Sequence, residues 1–111
     1  LMKKINKILS IEEYDMVLPY IWQALIIVLQ IQFEKENDMK LIIKDRDIIK
    51  DLYTNGQLTL EEYDLIIELQ LRRNIVVHNI SSSNINKCYV DQILNLITEK
   101  AQEWNIDLNL D

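Results

Sequence analysis

The chain has 111 residues, a net charge of −6, one Gly, one Pro and one Cys. That length suits one domain, residues 1–111, and the negative charge excludes a globally basic surface, so any RNA contact has to be local. The lone Cys88 excludes an internal disulfide framework and a cysteine-only metal site.

So few Gly and Pro leave little material for the tight turns of strand-rich folds, and an all-α bundle of four to five helices is expected. No signal-peptide pattern is visible, so a cytoplasmic setting is expected. Leu1 in place of an initiating Met is compatible with a fragment of a longer protein, which leaves room for a domain upstream.

The N-terminal segment places Ile5, Ile8 and Leu9 at helical spacing among lysines. Ser10 and Glu13 form an S-x-x-E capping box, which would start a new helix. Pro19 follows, and a break or kink is expected near Leu18, because proline inside a helix costs about 3 kcal/mol. Residues 16–29, MVLPYIWQALIIVL, are the most apolar run. A membrane span needs roughly 20 such residues, so a buried helix is expected and no membrane partner. From residue 20 to 33 apolar side chains occupy almost every helical face, which must be covered all round. A second subunit would cover it, and so would a central position within the monomer.

EKENDM, residues 34–39, reads as a polar loop. Asp45 or Asp47 is expected to cap a helix through Ile48, Ile49, Leu52 and Tyr53, stopped by Asn55-Gly56. Thr59 and Glu62 form a second capping box, starting a helix with Tyr63, Ile66, Ile67, Leu69 and Leu71 that ends at the Ser-rich residues 81–84. The last helix carries one apolar stripe: Val90, Ile93, Leu94, Ile97, Ala101 and Trp104. Cys88, at its start, reads as a small core residue, and Trp22 and Trp104 belong in the core or at a dimer seam.

LRRNIVVHN, residues 71–79, holds the only His and two of the three Arg. At about 100° per residue, Asn74 and His78 share a face above Leu71 and Ile67. Arg73 lies about 140° away from His78, on the stripe of Ile66, Leu69 and Val76. Polar groups at the edge of a burying surface need partners or a purpose. An arginine fork suits a phosphate, and an imidazole suits proton transfer near neutral pH. A bland reading stands beside this one: an imidazole compensating a helix end, and solvated arginines.

RNIVVH resembles the R-x(4–6)-H motif of HEPN-domain ribonucleases, in the form where a polar residue follows the arginine. The approach NGQLT, then EEYDLIIELQLRRN, then VVHN, is similar too, so the likeness covers residues 45–79 closely and the flanking helices in kind. It implies a HEPN-like bundle that dimerises, with both motifs in one cleft, and metal-independent RNA cleavage. Arg73 would hold phosphate, His78 would transfer protons, Asn74 would assist, and Arg72 would contact the RNA backbone unless it is a solvated surface charge. Implied partners are an RNA substrate, a second copy of the chain and an antitoxin or other regulator, in a toxin–antitoxin or phage-defence setting. Members silenced by a nucleotidyltransferase carry a tyrosine two positions after the histidine. Ile80 stands there in this chain, so that modification is not expected.

Two alternatives stay open: a catalytically inactive HEPN-like bundle that dimerises or docks a partner, and an unrelated helical bundle. No cofactor or metal is expected, since the chain has no Gly-rich phosphate loop and one His with one Cys cannot build a zinc site. Glu12-Glu13 and Glu61-Glu62 read as carboxylates at helix starts rather than as an acid/base pair.

Overall fold

A computed structural model describes residues 1–11, 14–37, 43–77 and 85–108. The fold is all-α: α1 (Met2–Ser10), α2 (Tyr14–Asn37), α3 (Asp45–Thr54), α4 (Leu60–Val77) and α5 (Lys87–Glu103), with no strand among the described residues. The arrangement follows from α2. Its Val17, Leu18, Ile21, Trp22, Leu25, Val28, Leu29 and Phe33 are all buried, and α1, α3, α4 and α5 each pack against it. The chain therefore supplies the cover for its own apolar helix, and of the two coverings considered above the central position is the one realised. Met16, Gln23 and Gln30 mark its exposed side. Among the described residues α2 is the one helix long and apolar enough to cross a membrane, and 56% of that window is buried within the protein.

Pro19 does not break α2, which runs continuously from Tyr14. Proline so near the start removes little more than the bond to the Asp15 carbonyl, because the preceding amides lack helical partners anyway. The expected loop at residues 34–39 is helical as far as Asn37; residues 38 and 39 lie outside the described set. Its polar residues hold the last turns by bonding: Gln32 Nε2 donates to Glu36 Oε1 at 3.0 Å, and Asn37 Nδ2 to the Phe33 carbonyl at 2.8 Å. Of the Ser10–Glu13 box the described residues include Ser10 alone. Its hydroxyl donates back to the Lys7 carbonyl at 2.6 Å and closes α1, while Glu12 and Glu13 lie outside the described residues.

The second capping box forms as the spacing suggests. Glu62 N donates to Thr59 Oγ1 at 3.1 Å, and Thr59 N donates to Glu62 Oε1 at 2.8 Å. Lys44 is the N-cap of α3, with Asp45 and Asp47 inside its first turn, where their charge favours the helix dipole rather than capping it. At its end Gly56 N bonds the Tyr53 carbonyl and Gln57 N the Leu52 carbonyl, the paired bonds of a Schellman turn. Gly56 takes φ +78°, as that turn requires. α5 closes the same way: Asn105 at φ 56° bonds Gln102, and Ile106 bonds Ala101. Asn86 caps the start of α5 by accepting from Tyr89 N at 2.8 Å. Trp22 and Trp104 are both in the core. Cys88 is not; it is exposed, because it falls on the side of α5 opposite Val90 and Ile93.

α4 and α5 run antiparallel across α2 without packing backbone to backbone, and a groove of about 260 Å³ lies between them. At one end of that groove a buried lysine bridges them. Lys100 is 5% exposed, and its ammonium lies 2.9 Å from Glu62 Oε2, 2.8 Å from Glu103 Oε2 and 3.3 Å from the Gln57 carbonyl. It also sits 5.5 Å from the Trp104 ring centroid. Burial alone would push the Glu62 carboxyl up, but the Thr59 cap and the Lys100 ammonium outweigh it and hold the carboxyl below the ordinary value. Burial likewise pulls Lys100 down, and the two carboxylates outweigh it and raise it.

Two expectations follow. Gly56 has open space where a Cβ would stand, so Gly56→Ala carries only the backbone cost of a left-handed residue, about 1 kcal/mol, and Asn105→Gly relieves a smaller strain. Denaturant melts should shift in opposite directions for the two variants. A lowered Glu62 pKa contributes stability that is present above the unfolded value of 4.5 and is lost as pH falls through the folded value. Glu62→Gln should therefore flatten the acid limb of the stability–pH curve. Lys100→Ala should cost near the low end of the roughly 3–5 kcal/mol for breaking a buried pair, since Glu62 stays partly hydrated. An unchanged acid limb in Glu62→Gln would remove the bridge from the account.

Candidate functional site

Arg72, Arg73 and Asn74 lie on the last turns of α4. Ile66 and Leu69 on this helix are fully buried, and Arg73 continues their stripe one turn further on. Its guanidinium is therefore half-buried rather than free in water. Arg73 Nη1 donates to Asn74 Oδ1 at 2.7 Å, and its Nε is buried without a hydrogen-bond partner among the described residues. No carboxylate pairs with Arg73 among the described residues. A neutral amide orients the fork without cancelling its charge, which leaves the cation able to accept an anionic oxygen. His78 lies outside the described residues, so the structure brings together Arg73 and Asn74 of the expected trio and does not place the third member.

Arg72 is differently engaged. Its Nη2 lies 2.7 Å from Glu68 Oε1, one helical turn back, and its guanidinium stacks 4.5 Å from the Tyr89 ring centroid on α5. The two contacts pin the far end of the α4–α5 groove, opposite Lys100. An arginine held between a carboxylate and an aromatic face has its charge largely answered, so the reading of Arg72 as a freely solvated charge does not describe it.

Two residues at this site were not singled out from the sequence. Tyr89 has a buried hydroxyl with no hydrogen-bond partner among the described residues. Burial pushes its phenol up to about 12, the Glu68 charge adds to that, and Arg72 opposes it. Only its place three residues after the Asn86 cap hinted that it would face back along α4. Lys100 was legible in principle. Positions 93, 97, 100 and 104 fall on one helical face, so a lysine at the third of them had to be buried with a partner.

Among the described residues no cluster of His, Cys, Asp or Glu has the geometry to hold a metal ion. The groove between α4 and α5 is lined by Glu61, Glu62 and Glu99 with Gln92 and Asn95, so it is acidic and unsuited to a polyanion. A second hollow of about 290 Å³ opens between α3 and α4 beside Arg46, Lys50, Tyr63, Ile67 and Gln70. Leu71 is 60% exposed, three residues before Asn74 on the same side of α4. No family model, curated protein or solved structure matches the chain.

Tyr89→Phe keeps the ring against Arg72 and removes a buried unpaired hydroxyl, whose desolvation costs about 1–3 kcal/mol. The variant should be as stable as the parent or more so. Ultraviolet titration should lose a phenol that ionises near 12. A clear destabilisation would mean that the hydroxyl has a partner after all.

Proposed function

We propose that the protein is a metal-independent endoribonuclease of the HEPN type, acting as a homodimer in the cytoplasm within a toxin or phage-defence system. The observation that carries this reading is the Arg73–Asn74 pair: a half-buried guanidinium, aimed by a neutral amide, in the frame R-N-x-x-x-H. Such a group is suited to a phosphodiester, whose developing negative charge an arginine fork can accept through two parallel bonds.

In the reaction, an imidazole takes the proton from a ribose 2′-hydroxyl, and that oxygen attacks the adjacent phosphorus. The bond from phosphorus to the 5′-oxygen breaks, and a second imidazole gives that oxygen a proton. The products are a 2′,3′-cyclic phosphate and a 5′-hydroxyl. One chain has one histidine, so two copies supply the base and the acid. His78 is assigned the proton transfers, Arg73 the phosphate and Asn74 the orientation of Arg73. The dimer has support from Leu71, an exposed apolar residue beside Asn74 where a second copy would sit. The same pairing site would be available to an antitoxin or other regulator.

A second reading is favoured by the charge around the motif. Arg72 is paired with Glu68, and the neighbouring groove is acidic, an environment that suits an inactive HEPN-like dimerisation module better than an RNA binder. Purified protein incubated with RNA in EDTA separates the two. Cleavage to cyclic-phosphate ends is expected, lost by at least a hundredfold in His78→Ala and Arg73→Ala, which are on the order of the losses seen when a proton-transfer or charge-stabilising group is removed. Cleavage that persists in His78→Ala, or none from a dimeric protein, rejects the nuclease.

A further inference from the structure

The hollow between α3 and α4 brings two cations, Arg46 and Lys50, together with Tyr63 and the Asp47 carboxylate. Arg46 and Lys50 are exposed, stand one turn apart on α3, and neither is ion-paired among the described residues. Beside them Tyr53 and Tyr63 stack with ring centroids 4.6 Å apart and planes at 24°. Tyr63 lines the hollow, and Tyr53, stacked on it, is 37% exposed and so lies outside the core. On α4, Tyr63, Ile67, Gln70 and Asn74 follow at steps of three and four residues and form one continuous strip. From Tyr63 to Asn74 the strip runs about 16 Å, the length of eleven helical residues, and the hollow covers its first three members, so that Gln70 at the hollow's edge stands about 6 Å, one helical turn, from Asn74. The whole strip matches roughly five stacked nucleotides at about 3.4 Å each.

Cations that track a backbone beside an exposed aromatic platform are the chemistry that holds a single strand without reading its sequence. A globular protein partner would be held by a broad apolar patch, whereas this hollow holds two cations, one carboxylate and an amide beside its tyrosine and isoleucine. We infer that the α3–α4 hollow is a binding track for single-stranded RNA, in which Arg46 and Lys50 hold phosphates and a base stacks on Tyr53. This rests on the nuclease reading for its ligand and adds to it the path by which a strand reaches Arg73.

The test uses a fluorescent 2′-O-methyl oligonucleotide, which lacks the attacking hydroxyl and so reports binding without cleavage. Anisotropy should show the full chain binding this strand and a duplex of the same sequence more weakly. Arg46→Gln with Lys50→Gln should weaken binding tenfold or more and make the salt slope shallower by about 1.4, the value for two phosphates on a single strand. Tyr53→Leu should weaken binding at least fivefold while leaving most of the salt slope in place. Because these side chains are exposed, thermal melts should confirm that the variants remain folded. Affinity unchanged in both variants overturns the track, as does equal binding of the duplex or no binding at all. RNA cleavage in EDTA by the parent chain, measured alongside, is the separate readout of the nuclease. Cleavage with unaltered binding in the variants rejects the track alone, and track-dependent binding without cleavage rejects the nuclease alone.

Discussion

A 24-residue helix with apolar residues around nearly its whole circumference cannot be left in water, and covering α2 fixes where everything else goes. Each remaining helix is amphipathic and offers one stripe: Ile5 and Ile8 from α1, Ile48, Ile49 and Leu52 from α3, Ile66 and Leu69 from α4, Val90, Ile93 and Ile97 from α5. At roughly 25 cal/mol per Å² of apolar surface, enclosing α2 is a major favourable contribution to the fold. Helices arranged around a central one need not pack tightly on each other. That is why α4 and α5 can lie side by side with a groove between them, and why polar side chains are needed to set their relative position.

Lys100 and Arg72 do that at opposite ends of the groove. Lys100 reaches from α5 to the carboxylate that also caps α4, so one Glu62 side chain starts a helix with one oxygen and docks it with the other. Arg72 reaches the other way, from α4 onto the Tyr89 ring at the start of α5. Apolar residues at these points would bury as much area, but they would not dictate which turn of α5 faces which turn of α4. Of the partners of the Lys100 ammonium, Glu103 is on α5 itself, while the Glu62 carboxylate and the Gln57 carbonyl tie it to the start of α4. Lys35 adds a third tie by donating to the Trp104 carbonyl at 2.9 Å, a cation placed at the negative end of α5.

What could be read in the sequence was what depends on neighbours within about one helical turn. The Thr59–Glu62 box, the Asn55-Gly56 stop and the α5 stripe are of that kind. At the junction of α1 and α2 the Ser10 hydroxyl bonds backward to Lys7, since a hydroxyl there can serve the helix it ends, and Glu13 lies outside the described residues. Residues 34–37 looked like loop by polarity, but their amides and carboxylates pair along the helix and extend it. Long-range ties were invisible. Nothing local joins Glu62 to Lys100 or Arg72 to Tyr89, and the greasy helix gave no sign of whether its cover came from this chain or another.

Two adjacent arginines show how a 100° step decides chemistry. Arg72 falls on the side of α4 that faces α5 and carries Glu68 one turn back, so its charge is met by a carboxylate and a ring. Arg73, one residue on, follows the buried stripe of Ile66 and Leu69, and its one side-chain hydrogen bond among the described residues is to the Asn74 amide. A half-buried guanidinium whose Nε is buried without a partner among the described residues is costly in a folded protein unless something anionic completes it. In a chain with an excess of carboxylates, evolution had acidic residues at hand to do so, and the structure puts an uncharged amide there instead. An amide aims the guanidinium and leaves its charge uncancelled, which is the condition that the proposed phosphate contact requires.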